Sequence, residues 1–253
     1  MGKYIVWLLG IIAILFLTLP IVVLGIRTIE THAWGTLNQS VVTDAVYLSA
    51  TTTSISMVLT LIFGTPLAYL LARGKFPGRR FVNVLVELPI VLPPAVAGLA
   101  LLLFLGRRGM FGSFLAMFDI NLPFTSAAVV LAQTFVAAPF YIRAANVGFM
   151  GVPKEIEEAA QVDGAGGLTL FFFITIPLAA RTLAAGLILS WARALGEFGA
   201  TILFAGSLQG RTQTMPLLIY NILERDINAA IATGLLLVLL ALAALMVSQW
   251  INE

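Results

Sequence analysis

Cysteine is absent from these 253 residues and histidine occurs once. Without cysteine there is no disulfide framework and no thiol chemistry, although the absence does not identify a compartment. A single imidazole, His32, cannot build a metal site, and in a polar loop it reads as a solvated side chain. Charge is scarce too. Asp, Glu, Lys and Arg make up 10% of the chain, against about 25% in soluble domains. Together with 60% hydrophobic residues, this scarcity excludes a soluble globular domain and a disordered chain alike. The net charge of +2 is too small and too scattered for a nucleic-acid surface, so no nucleic-acid partner is expected. There are no paired aspartates, no histidine cluster and no serine with a base. No phosphate loop is present either: Lys75 follows Gly74, but Phe76 stands where Ser or Thr is required. The chain is therefore not expected to be an enzyme. If it drives active transport, the energy must come from a partner.

What the chain has is long apolar runs. They predict an all-α, polytopic membrane protein, one domain over 1–253, with six transmembrane helices near Tyr4–Ile26, Ala45–Ala72, Phe81–Leu105, Thr125–Phe149, Leu178–Ala205 and Ile227–Trp250. The first run exceeds a signal-peptide core of about 7–15 residues and lacks a cleavage site, so it reads as a retained span. The second opens with hydroxyl-rich Ser49–Ser56, whose side chains should bond back to their own helix or across to a neighbour. The third contains ELPIVLPPAVAG, with Pro89, Pro93 and Pro94, and is expected to be a broken helix. RGKFPGRR, residues 73–80, carries four basic residues and no acid, which places that turn in the cytoplasm. Six crossings then put both termini inside, Asn252 and Glu253 included. No appended regulatory domain is expected after Glu253. Arg107 and Arg108 oppose the positive-inside trend; they could attract an anion to the outer mouth or simply be solvated anchors.

One polar stretch, Gly151–Pro177, reads GVPKEIEEAAQVDGAGGLTLFFFITIP. Pro153 suits a first helical turn. Glu155, Glu157 and Glu158 suit the positive end of a helix dipole. Ile156, Ala159 and Ala160 share a face, and Gly164 sits where a left-handed cap is wanted. A second short apolar helix should run from Leu168 to Ile176 and end at Pro177. The first helix is too short to be stable alone and has to dock on something.

A second cluster, SWARALGEFGATILFAG, lies in the fifth span. Arg193 and Glu197 are four apart and predicted to share a helix face. Arg193 stands about 18 Å beyond Arg181 along a helix, deep in an apolar layer about 30 Å thick. A mutual ion pair that locks helices and a pair at the wall of a translocation path are both consistent with this. Gly196, Gly199 and Gly206 would allow another backbone to approach.

The spacing Glu158-Ala159-Ala160, three residues, Gly164, nine residues, Ile174-x-Ile176-Pro177 resembles the EAA loop of ABC importer permeases, with Ile176 where the family usually has Leu. ELPIVLPPAVAG, GRRGMFGSF, SWARALGEFGATILFAG and RTQTMP are similar to the molybdate branch of that family, with sulfate and thiosulfate permeases close by. The resemblance implies a type I importer permease fold in a prokaryotic inner membrane, among its lipids. It implies a homodimer, two separate ATP-binding-cassette subunits that hold ATP and Mg, and an extracytoplasmic oxyanion-binding protein. This chain itself would bind no cofactor. The implied substrate is molybdate or tungstate, with sulfate or thiosulfate as the alternative. A membrane scaffold or channel without ATP coupling is the alternative of another class. Implied coupling residues are Glu157, Glu158, Ala159, Ala160, Asp163 and Gly164. Implied path or gate residues are Pro93, Pro94, Arg193, Glu197 and Phe198.

Overall fold

A computed structural model describes residues 2–252; the expectation for Glu253 lies outside them. Among the described residues there is no strand. The helices are α1 Gly2–Glu30, α2 Gln39–Arg73, α3 Arg79–Val91, α4 Pro94–Leu105, α5 Gly112–Ala116, α6 Ser126–Gly151, α7 Lys154–Val162, α8 Gly167–Leu170, α9 Ile176–Leu195, α10 Gly199–Phe204, α11 Met215–Leu223 and α12 Ile227–Asn252. Five continuous segments are long and apolar enough to cross a membrane: Lys3–Glu30, Gln39–Arg73, Ser126–Gly151, Gly167–Leu195 and Ile227–Val247.

A sixth crossing exists only if α3 and α4 count together, and they meet at 115°. The break falls where the prolines cluster. A residue that precedes proline is pushed out of the α region. Leu92 (ψ 134°) and Pro93 (ψ 131°), each followed by proline, are both extended. The expected breakage is thus seen, as a bend too sharp for one straight span. Pro89 is instead carried inside α3.

The fifth span departs from its expected limits of 178–205. Helix begins earlier, at Gly167, and runs through Pro177 instead of ending there. The turn just before that proline, Phe171–Thr175, is a π-turn, with Ile176 N–H bonded back to the Phe171 carbonyl. A widened turn relieves the clash between the proline ring and the carbonyl four residues earlier. At the far end α9 stops at Leu195, and the chain restarts as α10 after Gly196–Phe198.

Helix α6 is central and packs on α2, α9, α3, α10 and α4. One core cluster joins α2, α6 and α9 through Leu71, Tyr141, Phe149 and Leu183. Another joins α4, α6 and α10 through Leu101, Val129, Val136 and Phe204. Helices α4 and α10 cross almost backbone to backbone: a Cβ on Gly98 would lie 2.6 Å from the Ala200 carbonyl oxygen, and one on Gly199 2.8 Å from Pro94 Cβ. Small residues permit such contact in membranes. Gly199 does what was expected of it; outside its own helix Gly196 has no such close neighbour.

The hydroxyl run in α2 bonds in both expected ways. Thr51 and Thr52 donate to the Tyr47 and Leu48 carbonyls of their own helix at 2.7 and 2.8 Å. Ser56 donates to the Val130 carbonyl of α6 at 2.9 Å, and Ser49 accepts the Met215 N–H of α11 at 2.8 Å. These bonds, and that from Arg73 to the Val152 carbonyl at 2.6 Å, fix two ends of the bundle. The end of α2, the end of α6 and α7 lie at one. The start of α2, the start of α6 and α11 lie at the other. Helix α1 packs on α12 and the 3-10 turn Ala33–Thr36; its apolar side chains, such as Trp7, Leu15 and Phe16, are exposed.

Candidate coupling helix and intramembrane ion pair

Helix α7 starts after Pro153, which takes the N-cap position with ψ 130°, one residue earlier than a first-turn proline. Its end is closed as expected. Gly164 has φ +92°. The Ala165 N–H bonds the Ala160 carbonyl at 2.9 Å and the Gly164 N–H bonds the Gln161 carbonyl at 3.0 Å, the paired bonds of a Schellman cap.

The face that packs on the rest of the chain is not the apolar one. Ile156 is 43% exposed and Val162 88% exposed, and Ala159 is exposed as well. The residue that α7 buries is Glu157, with Ala160 half-buried behind it. A buried carboxylate needs partners, and three elements supply them. The Thr175 hydroxyl of the π-turn donates to Glu157 Oε1 at 2.9 Å. Arg73, the last residue of α2, brings Nε to 3.2 Å from Oε2. That approach is off the N–H axis, so it is an ion pair and not an aligned hydrogen bond. The same guanidinium donates through Nη2 to the Val152 carbonyl at the end of α6. Beneath them Tyr69 meets Phe171 and Phe149 edge-on, with ring centres 4.8 and 5.5 Å apart. Of the six predicted coupling residues, Glu158, Ala159, Asp163 and Gly164 face outward, Ala160 is half-buried, and Glu157 points into the protein. The outward face therefore combines carboxylates with exposed Ile156 and Val162, which this chain leaves uncovered.

The second site is the break between α9 and α10. Arg193 and Glu197 do not share a helix face, since α9 ends at Leu195. They pair across the break instead, Nη1 to Oε2 at 2.7 Å. The other oxygen, Oε1, accepts the Ala200 N–H at 2.8 Å and so caps the first turn of α10. The Glu197 side chain is 1% exposed; that of Arg193 is 29% exposed. Phe198 rests on Tyr220 with ring centres 5.1 Å apart. Pro93 and Pro94 are both exposed, and Pro94 also lies against Gly199. On the opposite end from α7, Arg107 and Arg211 line a cavity of about 570 Å³ with Asp119 and Asn121.

Residues 64–253 match the family described as "Binding-protein-dependent transport system inner membrane component". The chain belongs to this family. It is accordingly a multi-pass inner-membrane component of a transport system. Among its relatives, the probable transport system permease protein NifC of Clostridium pasteurianum is 39% identical over 94% of this chain and 84% of its own length. The molybdenum transport system permease protein ModB of Mycobacterium tuberculosis is 40% identical over 93% of this chain and 89% of its own. The sulfate transport system permease protein CysT of Salmonella typhimurium is 34% identical over 89% and 82%. In fold, the chain is similar to a crystallised bacterial ABC transporter involved in the import of alginate, with a TM-score of 0.75, 20% identity, and coverage of 99% of this chain and 93% of that one.

Three residues that organise this transport component carry little sequence signal. Arg73 reads as one more basic residue in a positive turn, and Thr175 as one hydroxyl in an apolar run. Gln133 of α6 is buried and donates to Thr53 of α2 at 3.2 Å and to the Ala194 carbonyl of α9 at 3.3 Å. A polar side chain in mid-span was its only clue.

Proposed function

We propose that this chain is the single-domain permease of an ATP-driven importer for molybdate or tungstate. Two copies form the membrane unit, and two separate ATPase subunits dock on α7. An extracytoplasmic binding protein delivers the oxyanion at the opposite face. The α7 end of the bundle and both chain termini lie in the cytoplasm, in keeping with the basic 73–80 turn at that end. ATP and Mg belong to the ATPase subunits, and this chain performs no chemistry of its own.

The observation that carries the reading is α7 itself. It is a short capped helix, with carboxylates and apolar side chains turned outward, tied from within to α2, α6 and the π-turn that opens α9. A push on its outer face must move those helices with it, because the tie is ionic and buried. Rigid-body rocking of the spans, and with it alternating access, follows from nucleotide-driven closure of the partners. The molybdenum transport relative at 40% identity over nearly the whole chain, against 34% for the sulfate relative, favours molybdate as substrate.

The test is uptake into proteoliposomes that contain the permease with its ATPases, supplied with the companion binding protein. Molybdate should accumulate only with ATP, with tungstate competing and sulfate in excess without effect. Preferential sulfate uptake would move the substrate to the neighbouring branch. Flux that ignores ATP would point to a channel and end the proposal.

A further inference from the structure

The α7 end carries a second feature that coupling does not use. An open cavity of about 800 Å³ is lined by Arg79, Arg80, Asn83 and Asn146, with Leu71, Phe76, Val84 and Met150 as its apolar wall. A contiguous cavity of about 220 Å³ shares Asn83, Asn146 and Met150 and adds Arg143 and Glu87. Gly78, with φ +83°, turns the chain so that α3 begins with both arginines. Among the described residues none of the three guanidiniums has a carboxylate oxygen within 4.0 Å. The one carboxylate in the lining, Glu87, accepts instead from the Asn83 amide at 3.3 Å. Three unpaired cations, two amides and an adjoining exposed apolar wall therefore converge where a spanning bundle meets the headgroup layer.

We infer that this cavity is a binding site for an anionic phospholipid, with the phosphate among Arg79, Arg80 and Arg143 and an acyl chain along Phe76, Val84 and Met150. Arginine's planar fork suits phosphate oxygens, and basic pockets between spans on the cytoplasmic side take such headgroups. The shared chemistry is a tetrahedral oxyanion, which a soluble anion could also present. The apolar wall, which a free anion would not use, decides for the lipid. The inference depends on the proposed topology only for which leaflet supplies the lipid. Its test needs neither topology nor transport, so the two readings fail separately.

The assay is titration of the purified full-length chain, in a neutral non-ionic detergent, with phosphatidylglycerol, read by native mass spectrometry. Phosphatidylcholine serves as the neutral control, and inorganic phosphate and molybdate as competitors. Saturable binding of phosphatidylglycerol over phosphatidylcholine is expected. Arg79→Gln and Arg143→Gln should each weaken it about tenfold, the loss of one direct hydrogen bond to a charged phosphate. Lys75→Gln removes the same charge from the same turn but outside the cavity, and should change binding by less than about twofold. Equal losses from all three variants would mean diffuse attraction and overturn the site. Absence of lipid preference would do the same. Binding of molybdate or phosphate without phosphatidylglycerol would give the cavity to a soluble anion and overturn the lipid assignment.

Discussion

Arg73–Glu157 and Arg193–Glu197 are the same two residue types put to different uses. The first joins the end of α2 to α7, elements far apart in the chain, and draws in Val152 and Thr175. The second lies within four residues and closes a break in one interrupted span, with Glu197 also capping α10. The long-range pair ties α7 to the bundle. The local pair decides whether α10 keeps its place against α4. Exposure differs too. Both partners of the first pair are nearly buried, at 14% and 10% of side-chain surface, whereas Arg193 retains 29%. Loss of Arg73 strands a buried carboxylate; loss of Glu197 strands a cation that water or a passing anion can reach.

The largest effect should come from Arg73→Ala. Removal of one member of a buried ion pair costs about 3–5 kcal/mol, and the residual exposure here points to about 3. The loss should be local. Amide exchange in α7 and in the Phe171–Thr175 turn should accelerate, while α10 keeps its protection. ATP hydrolysis by the partners should continue with little transport. Replacing both charges, Arg73→Met with Glu157→Leu, should restore most of the stability, since no unpaired charge remains. Unchanged α7 exchange in Arg73→Ala would remove the tie from the account.

The contrast also explains what the sequence made legible. Helix existence followed from hydrophobic runs, and the break at Leu92–Pro93 from proline sterics, because both are local properties. The Gly164 cap was equally local. The inward turn of Glu157 was not. By periodicity Ile156, Ala159 and Ala160 form the apolar face of α7 and ought to be buried, as they would be in a soluble protein. In the proposed importer the partner for that face is another molecule, and the chain's own partner, for Glu157, is Arg73, which no spacing links to it. The same limit hid Gln133 and Gly98, whose roles depend on which helices end up adjacent. The limits of the fifth span were misjudged for a different reason. Pro177 looked like a stop, yet a π-turn lets the helix run through it.

The intermediate effect concerns the local pair. Glu197→Gln keeps an acceptor for the Ala200 N–H but removes the charge opposite Arg193. A loss of about 1–2 kcal/mol is expected, the difference between a charged and a neutral buried contact. Arg193→Gln sharpens the comparison between structural and path roles. If Arg193 only locks helices, the two variants should lose thermal stability and transport in similar proportion. If its exposed guanidinium meets the anion, Arg193→Gln should depress uptake much further than its stability loss accounts for. Proportional losses in both would leave the pair a structural clasp.

The smallest effect on the fold should come from Gly164→Ala. Nothing lies within 4 Å of the added Cβ, so packing does not oppose it. The penalty is the left-handed backbone alone, about 1 kcal/mol for an L side chain, and a β-branched valine should add to it. Gly166→Ala is the matched control, since that position is equally open and has no positive φ. Global unfolding should barely change in any of these. The last turn of α7 should fray, and with it the position of Asp163 and Val162 on the outward face. Affinity for the ATPase subunits should therefore fall for Gly164→Ala and not for Gly166→Ala, with Gly164→Asn in between because asparagine tolerates the left-handed region. Equal affinity across the series would mean that the partner reads α7 upstream of its cap, and that the capped end is dispensable to the push.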